Sequence, residues 1–299
     1  MLAVWKENLF MYHYTIIQWL FFFYFYCFCG WCFESSYVSL KEKKLTNRGF
    51  IRGPFLPIYG SGATMMLVVS GPFRHSIVLT YLAGCVGATA LEYVTAVIME
   101  ALFKVRYWDY SRQRFHFQGR ICLSSTLVWG FFTVAMTRFV HVYVEKLMLL
   151  IPGQILTAVT LILTVGIFTD FVLAFKTAAD LRIVLAKMQF VKEELRSIQK
   201  RLDTLISHTG EGLMNRREAF TDSVKEELAV LKAKYSLLVD SRRYLGSLMD
   251  FLQRSMLRSN PGMTSVEYRE SLEELKEKAR EKEKKQELEK ADMTESPGE

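Results

Sequence analysis

Four carboxylates sit where the surroundings disfavour charge: Glu34, Glu92, Glu100 and Asp170 each fall inside or at the end of a long apolar run. An acid in a membrane helix costs roughly 2.5–3.5 kcal/mol on insertion scales, so such groups face a packed interior or a wet cavity. Basic residues crowd behind two of these runs. Lys41, Lys43, Lys44, Arg48 and Arg52 follow the first, and Lys104, Arg106, Arg112, Arg114 and Arg120 follow the run carrying Glu92 and Glu100. The pattern points to an acid-walled cavity with cations at its mouth, suited to a polar headgroup, a cation or a proton. Its candidate substrate-binding residues are Glu34, Arg48, Arg52, Tyr59, Glu92, Glu100, Asp109, Arg120 and Asp170. Glu92 and Glu100 are separated by ~12 Å of helical rise and about 80° of rotation, so they cannot form a tight carboxylate pair. The same residues also allow a structural reading, in which hydrogen bonds and ion pairs lock a bundle, as where Glu34 or Asp170 meets Tyr59 or an arginine.

Catalytic patterns are missing. The chain has no H-E-x-x-H pair, no G-x-S-x-G elbow and no phosphate loop with its lysine, so no enzymatic reaction is expected and ATP-driven work would fall to a separate ATPase subunit. His13, His75, His116, His141 and His208 are scattered, and Cys27, Cys29 and Cys32 read as small packing residues of a membrane helix rather than metal ligands. No metal and no cofactor is expected.

Apolar runs of spanning length place these residues. Spans are expected at about 14–38, 57–72, 76–103, 121–140 and 154–175, making 1–175 an all-α, polytopic transmembrane helix bundle. The start of the second span, GPFLPIYGSG, reads either as non-helical backbone at membrane depth or as an interfacial loop before a short helix. Gly84, Gly87 and Ala88 in the third permit close helix contact. After the fourth, apolar residues alternate with Arg138, His141, Glu145 and Lys146, which suggests an amphipathic segment at the interface. The loops after spans one and three are basic, those after two and four are poor in Lys and Arg, and the chain after span five is rich in them. Positive residues stay inside, so the N-terminus is expected outside and the C-terminus in the cytoplasm of a multi-pass cell-membrane protein. The long first apolar run, with no small-x-small site after it, does not read as a cleavable signal.

Past Lys176 the composition turns to Lys, Glu, Arg and Leu. Leu181, Val184, Met188, Val191, Leu195, Ile198, Leu202 and Leu205 form a heptad seam, SHTGEG breaks it, and a second seam runs from Phe220 to Leu252. A cytoplasmic coiled-coil hairpin over 176–258 is expected, its returning end reaching the inner leaflet where Arg254 and Arg258 meet anionic headgroups. SNPG ends that helix. Over 259–299, Thr264 and Glu267 make a capping box for a charged, solvated helix that frays into a disordered tail.

The blocks NRGFIRGPFLPIYGSG, LEYVTAVIMEALFKVRYWDYS and GRICLSSTLVWG, in that order and spacing, resemble the bacterial membrane family called CmpB, a type IV ABC-transporter permease family. The resemblance covers residues 14–175 and includes Asn47, Arg48, Gly49, Gly53, Pro54, Pro57, Tyr59, Gly60, Glu92, Tyr93, Glu100, Trp108, Asp109, Tyr110, Gly119, Arg120, Trp129, Gly130 and Asp170. It implies a permease; the cytoplasm-facing acidic cavity would take a polar or amphiphilic substrate, and the expected partners are membrane lipid and a separate ATPase subunit. The 181–257 coiled coil would serve a homo-oligomer or another partner. The alternative is a non-transporting membrane scaffold whose coiled coil recruits. The net charge of +7 needs no nucleic acid, because the basic residues stand where membrane topology already asks for them.

Overall fold

The computed structural model describes residues 14–211, 217–247 and 249–295, and their side chains apart from 206–224 and 284–295. The chain divides into two compact units, Met1–Ala178 with Ser255–Thr264, and Ala179–Arg254 with Ser265–Glu299.

The first unit begins with α1, Ile16–Glu42. Thr15 opens it with a capping box: its hydroxyl accepts from the Gln18 N–H at 3.3 Å, and its own N–H donates to the Gln18 side chain at 2.8 Å. A left-handed Lys43 closes it. A loop leads to α2, Pro57–Ser70, which starts with proline at its first turn, where the missing N–H leaves no bond unmade. One turn of 3₁₀ helix, Gly71–Phe73, precedes α3, Ile77–Phe103, capped by the Ser76 hydroxyl. A two-stranded hairpin, β1 (His116–Phe117) with β2 (Ile121–Cys122), leads into α4, Leu123–Ala135. A π-helical turn, Met136–Val140, and α5, His141–Leu149, prolong α4, and α6 covers Gly153–Glu211.

Among the described residues, four helices are long and apolar enough to cross a membrane: Ile16–Glu42, Ile77–Phe103, Leu123–Leu149 and Gly153–Leu205. The segment expected as the second span is the 14-residue α2. At ~1.5 Å per residue it is shorter than the ~30 Å hydrocarbon layer, and residues 53–56 ahead of it are non-helical.

The amphipathic segment expected at the interface packs inward instead. Thr137, His141, Val144 and Met148 repeat at helical spacing, and all are buried. Val144 and Met148 join Phe22, Tyr26, Ala63, Leu67 and Leu156 in one core cluster, while Arg138 and Lys146 stay exposed. A core-facing helical stripe and an interfacial amphipathic stripe have the same period, so periodicity alone cannot separate them. Close helix approach depends on glycine. A Cβ on Gly30 would lie 2.3 Å from the Tyr59 ring, one on Gly60 2.6 Å from the Phe23 carbonyl, and one on Gly84 2.1 Å from the Thr133 hydroxyl.

The boundary expected near residue 176 does not interrupt the helix. KTAADL holds no Gly or Pro, and nothing stops α6 there. In the second unit α6 buries Leu181, Leu185, Met188, Val191, Leu195 and Ile198, while Val184 of the expected seam is half-buried. The turn expected at SHTGEG runs into residues 212–216, outside the described residues, as do the side chains of Phe220 and Val224 in the second seam. α7, Arg217–Ser247, buries Leu231, and Tyr235 of that seam is exposed. α8, Phe251–Ser259, is followed by α9, Arg269–Glu295. The last helix, expected to be solvated, instead buries Leu272, Leu275 and Ala279. Glu270 pairs with Lys192 and Arg196, and Glu274 with Arg242, tying α9 to α6 and α7. Three small apolar positions at i, i+3, i+7 suffice when charged stems cover the rest. The expected capping box also differs: Ser265, not Thr264, accepts from the Tyr268 N–H.

Candidate functional site

Both basic loops of the first unit lie at the same end of its bundle, because both hold the segment Ser255–Thr264. Arg48 Nη1 donates to the Ser259 carbonyl at 3.1 Å and to Asn260 Oδ1 at 2.9 Å. Across from it, the backbones of Arg106 and Thr264 exchange hydrogen bonds of 2.7 and 2.8 Å. At this end the structure gathers the sequence-selected residues into separate clusters rather than one ring.

Glu34, near the end of α1, accepts from the Tyr59 hydroxyl at 2.6 Å and from Arg48 Nε at 3.4 Å. Tyr59 reaches it because Gly30 and Gly60 let α1 and α2 approach so closely. Arg52 is exposed, and its carbonyl accepts from Asn47 Nδ2, whose Oδ1 takes the Trp31 indole N–H. Asp170 of α6 accepts from the Gly53 N–H at 2.6 Å, pinning the same loop from the other side.

Glu100 holds Arg106 and Arg120, each at 2.9 Å. Glu92 is held by neutral donors instead. It accepts from the Tyr110 hydroxyl at 2.8 Å and the Trp129 indole N–H at 3.0 Å, and it is 6% exposed. Ser125 Oγ lies 3.4 Å away but makes its shorter bond, 2.9 Å, to the Cys122 carbonyl. The loop 104–120 is built to deliver these donors. Trp108 Nε1 donates to the Arg120 carbonyl, the Tyr110 N–H donates to the Gly119 carbonyl, and Asp109 accepts from the Ser111 N–H. Gly119, at φ +71°, has no room for a Cβ, which would sit 2.9 Å from Asp109 Oδ1.

Electrostatics in this loop follow from the same contacts. Partial burial alone would raise the Asp109 carboxyl, but the Ser111 N–H and hydroxyl, with Arg106 and Thr264 nearby, hold it below the usual aspartate range. Burial, reinforced by the Glu92 charge and its hydrogen bond, pushes the Tyr110 phenol up, so it remains a donor.

Sequence reasoning missed two features. Asn260, Ser259 and Thr264 complete the basic end, although SNPG signals only the end of a helix. At the other end of α1, His141 lies between the Tyr26 hydroxyl at 2.9 Å and the Tyr14 hydroxyl at 3.1 Å, and Tyr14 also bonds Glu145. The i, i+4 spacing of His141 and Glu145 is the signal that could have found it. Among the described residues no group of His, Cys, Asp and Glu is placed to hold a metal ion.

No curated protein and no solved structure matches the chain. A family model described as "Putative ABC-transporter type IV" matches residues 21–175, which contain every carboxylate and arginine of the clusters at the basic end. That match spans more than half of the sequence, and the chain belongs to this family of membrane proteins.

Proposed function

We propose that the protein is the permease-like membrane component of an ABC-type transporter in the cell membrane, working with an ATPase carried on a separate chain. The end bearing both basic loops faces the cytoplasm, which puts the C-terminus inside, and the N-terminus outside if α2 with its 3₁₀ turn completes a crossing. A polar or amphiphilic substrate enters there and meets Glu34, Arg48 and Tyr59 first. The single observation that carries this reading is the Glu34–Arg48 pair: the glutamate and arginine side chains keep 25% and 15% of their surface open at the end of an apolar bundle in a transporter family. A negatively charged group and a cation so placed can take the two poles of a zwitterionic headgroup.

The rival reading is a scaffold that anchors and recruits without transporting. One observation favours it: Glu92, Glu100 and Asp170 are all engaged by donors of the chain itself, as a structural lock requires. A homo-oligomer through the helices of the second unit fits either reading.

Full-length protein purified from its native membrane tests the choice. A transporter subunit brings an ATPase whose turnover falls at least severalfold in the Glu34→Gln and Arg48→Gln variants. An associated protein without ATPase activity, or turnover indifferent to both variants, rejects the permease reading. Cysteines introduced at the exposed Ser111 or Arg112 should resist impermeant thiol reagents in intact cells; labelling from outside reverses the orientation.

A further inference from the structure

The basic end of the bundle carries a second set of contacts that substrate handling does not need. Asn260 is 2% exposed, and its amide is used completely. Oδ1 accepts from Arg48, while Nδ2 donates to the Gly49 carbonyl at 3.0 Å and to the Met256 carbonyl at 2.9 Å. Gly49 presents that carbonyl from φ +137°, a backbone region L side chains rarely adopt. Asn260 opens a β-turn through Pro261 and Gly262, closed by the Met263 N–H at 3.0 Å. Beyond the turn, Thr264 pairs backbone to backbone with Arg106, as an added strand does at a sheet edge. Leu257 and Met263 are 2% and 0% exposed, and the Tyr107 hydroxyl reaches Met256 Sδ at 3.7 Å.

A buried side-chain anchor, a strand-like backbone pairing and flanking apolar plugs are the parts of a peptide-recognition site. Here the receptor lies wholly within the family-matched residues 21–175 and the bound segment lies wholly outside them. We infer that the family core has a peptide-binding site between its two basic loops, and that Ser255–Thr264 is its ligand, supplied by the same chain. The site reads an Asn-Pro-Gly-Met-Thr turn: Arg48 and Gly49 recognise the asparagine and Arg106 takes the strand. Because Arg48 also faces Glu34, the occupied site holds one arm of the candidate substrate cluster. The peptide site itself stands whether or not the protein transports.

The test uses the full chain with protease sites inserted after Ser247 and after Val266, the latter exposed. Once both are cut, the intervening fragment should stay with the bundle through size exclusion. Excess labelled peptide of sequence SMLRSNPGMT should then displace it, and the same peptide carrying Asn260→Ala should do so at least tenfold less well. Loss of the fragment on cutting, refusal of both peptides, or equal displacement by both overturns the inference. Should cutting unfold the protein, hydrogen exchange on the uncut Asn260→Ala variant decides. Faster exchange confined to 255–264, with α2 as protected as before, supports a bound ligand; unchanged exchange there, or loss of protection across α2 as well, overturns it.

Discussion

Glu92 and Glu100 belong to one helix, α3, yet each is accommodated differently. Glu92 is buried and held by a phenol and an indole; Glu100, nearer the helix end and 19% exposed, is held by two guanidinium groups. Depth explains the difference. A guanidinium at the end of α3 keeps part of its hydration and so contributes attraction without full desolvation. Deeper in the bundle its own burial would cost more than the pairing returns, and neutral donors are the better partners. Proximity to the basic loop therefore selects the chemistry of each acid.

Truncation gives the widest separation between the two. Glu92→Ala takes the acceptor from the half-buried Tyr110 and Trp129 and opens a void, for about 3–4 kcal/mol of lost stability. Glu100→Ala frees two arginines that can turn toward water, for about 1–2 kcal/mol. Unfolding of both variants in detergent micelles measures this. A Glu100 variant as damaged as the Glu92 variant would mean that depth does not divide them.

The isosteric pair sharpens the comparison. Glu92→Gln keeps one acceptor oxygen but turns an amide toward a donor, and should cost about 1–2 kcal/mol at any salt concentration. Glu100→Gln keeps the shape and removes the charge, so its cost, about 1 kcal/mol in dilute buffer, should shrink as salt screens the partly exposed arginines. Stability measured at low and high ionic strength separates the two; parallel salt dependence would erase the distinction.

Much of this is legible in the amino-acid sequence itself, for physical reasons that differ by region. Apolar runs and the Lys and Arg loops mark long helices and the basic end because the bilayer constrains both strongly. Arg48, Tyr59 and Glu34 can be selected together, since an acid in an apolar helix needs a donor nearby. Pairing at long sequence separation is what escapes. Nothing in SNPG announces that Asn260 meets Gly49, because the match is between a backbone carbonyl and a side chain two hundred residues away. Leu272, Leu275 and Ala279 escape for another reason: a short apolar stripe among Glu and Lys looks solvated until a neighbouring helix is known.

Asp109 provides the smallest effect and extends the comparison to the loop itself. Its folded carboxyl lies below the ordinary aspartate range, so it contributes stability above the unfolded value, about pH 4, and loses it as pH falls through the folded one. The side chain is exposed, so screening keeps this under about 1 kcal/mol. Asp109→Asn should therefore flatten a shallow loss of stability on the acid side and lower neutral-pH stability by that same small amount, while the amide oxygen still accepts from the Ser111 N–H. Melting followed from neutral pH down through about pH 4 checks this. An undiminished acid slope in the variant would assign it to other carboxylates, Glu100 with its two arginines first among them, and the comparison between loop and helix would have to be redrawn around that pair.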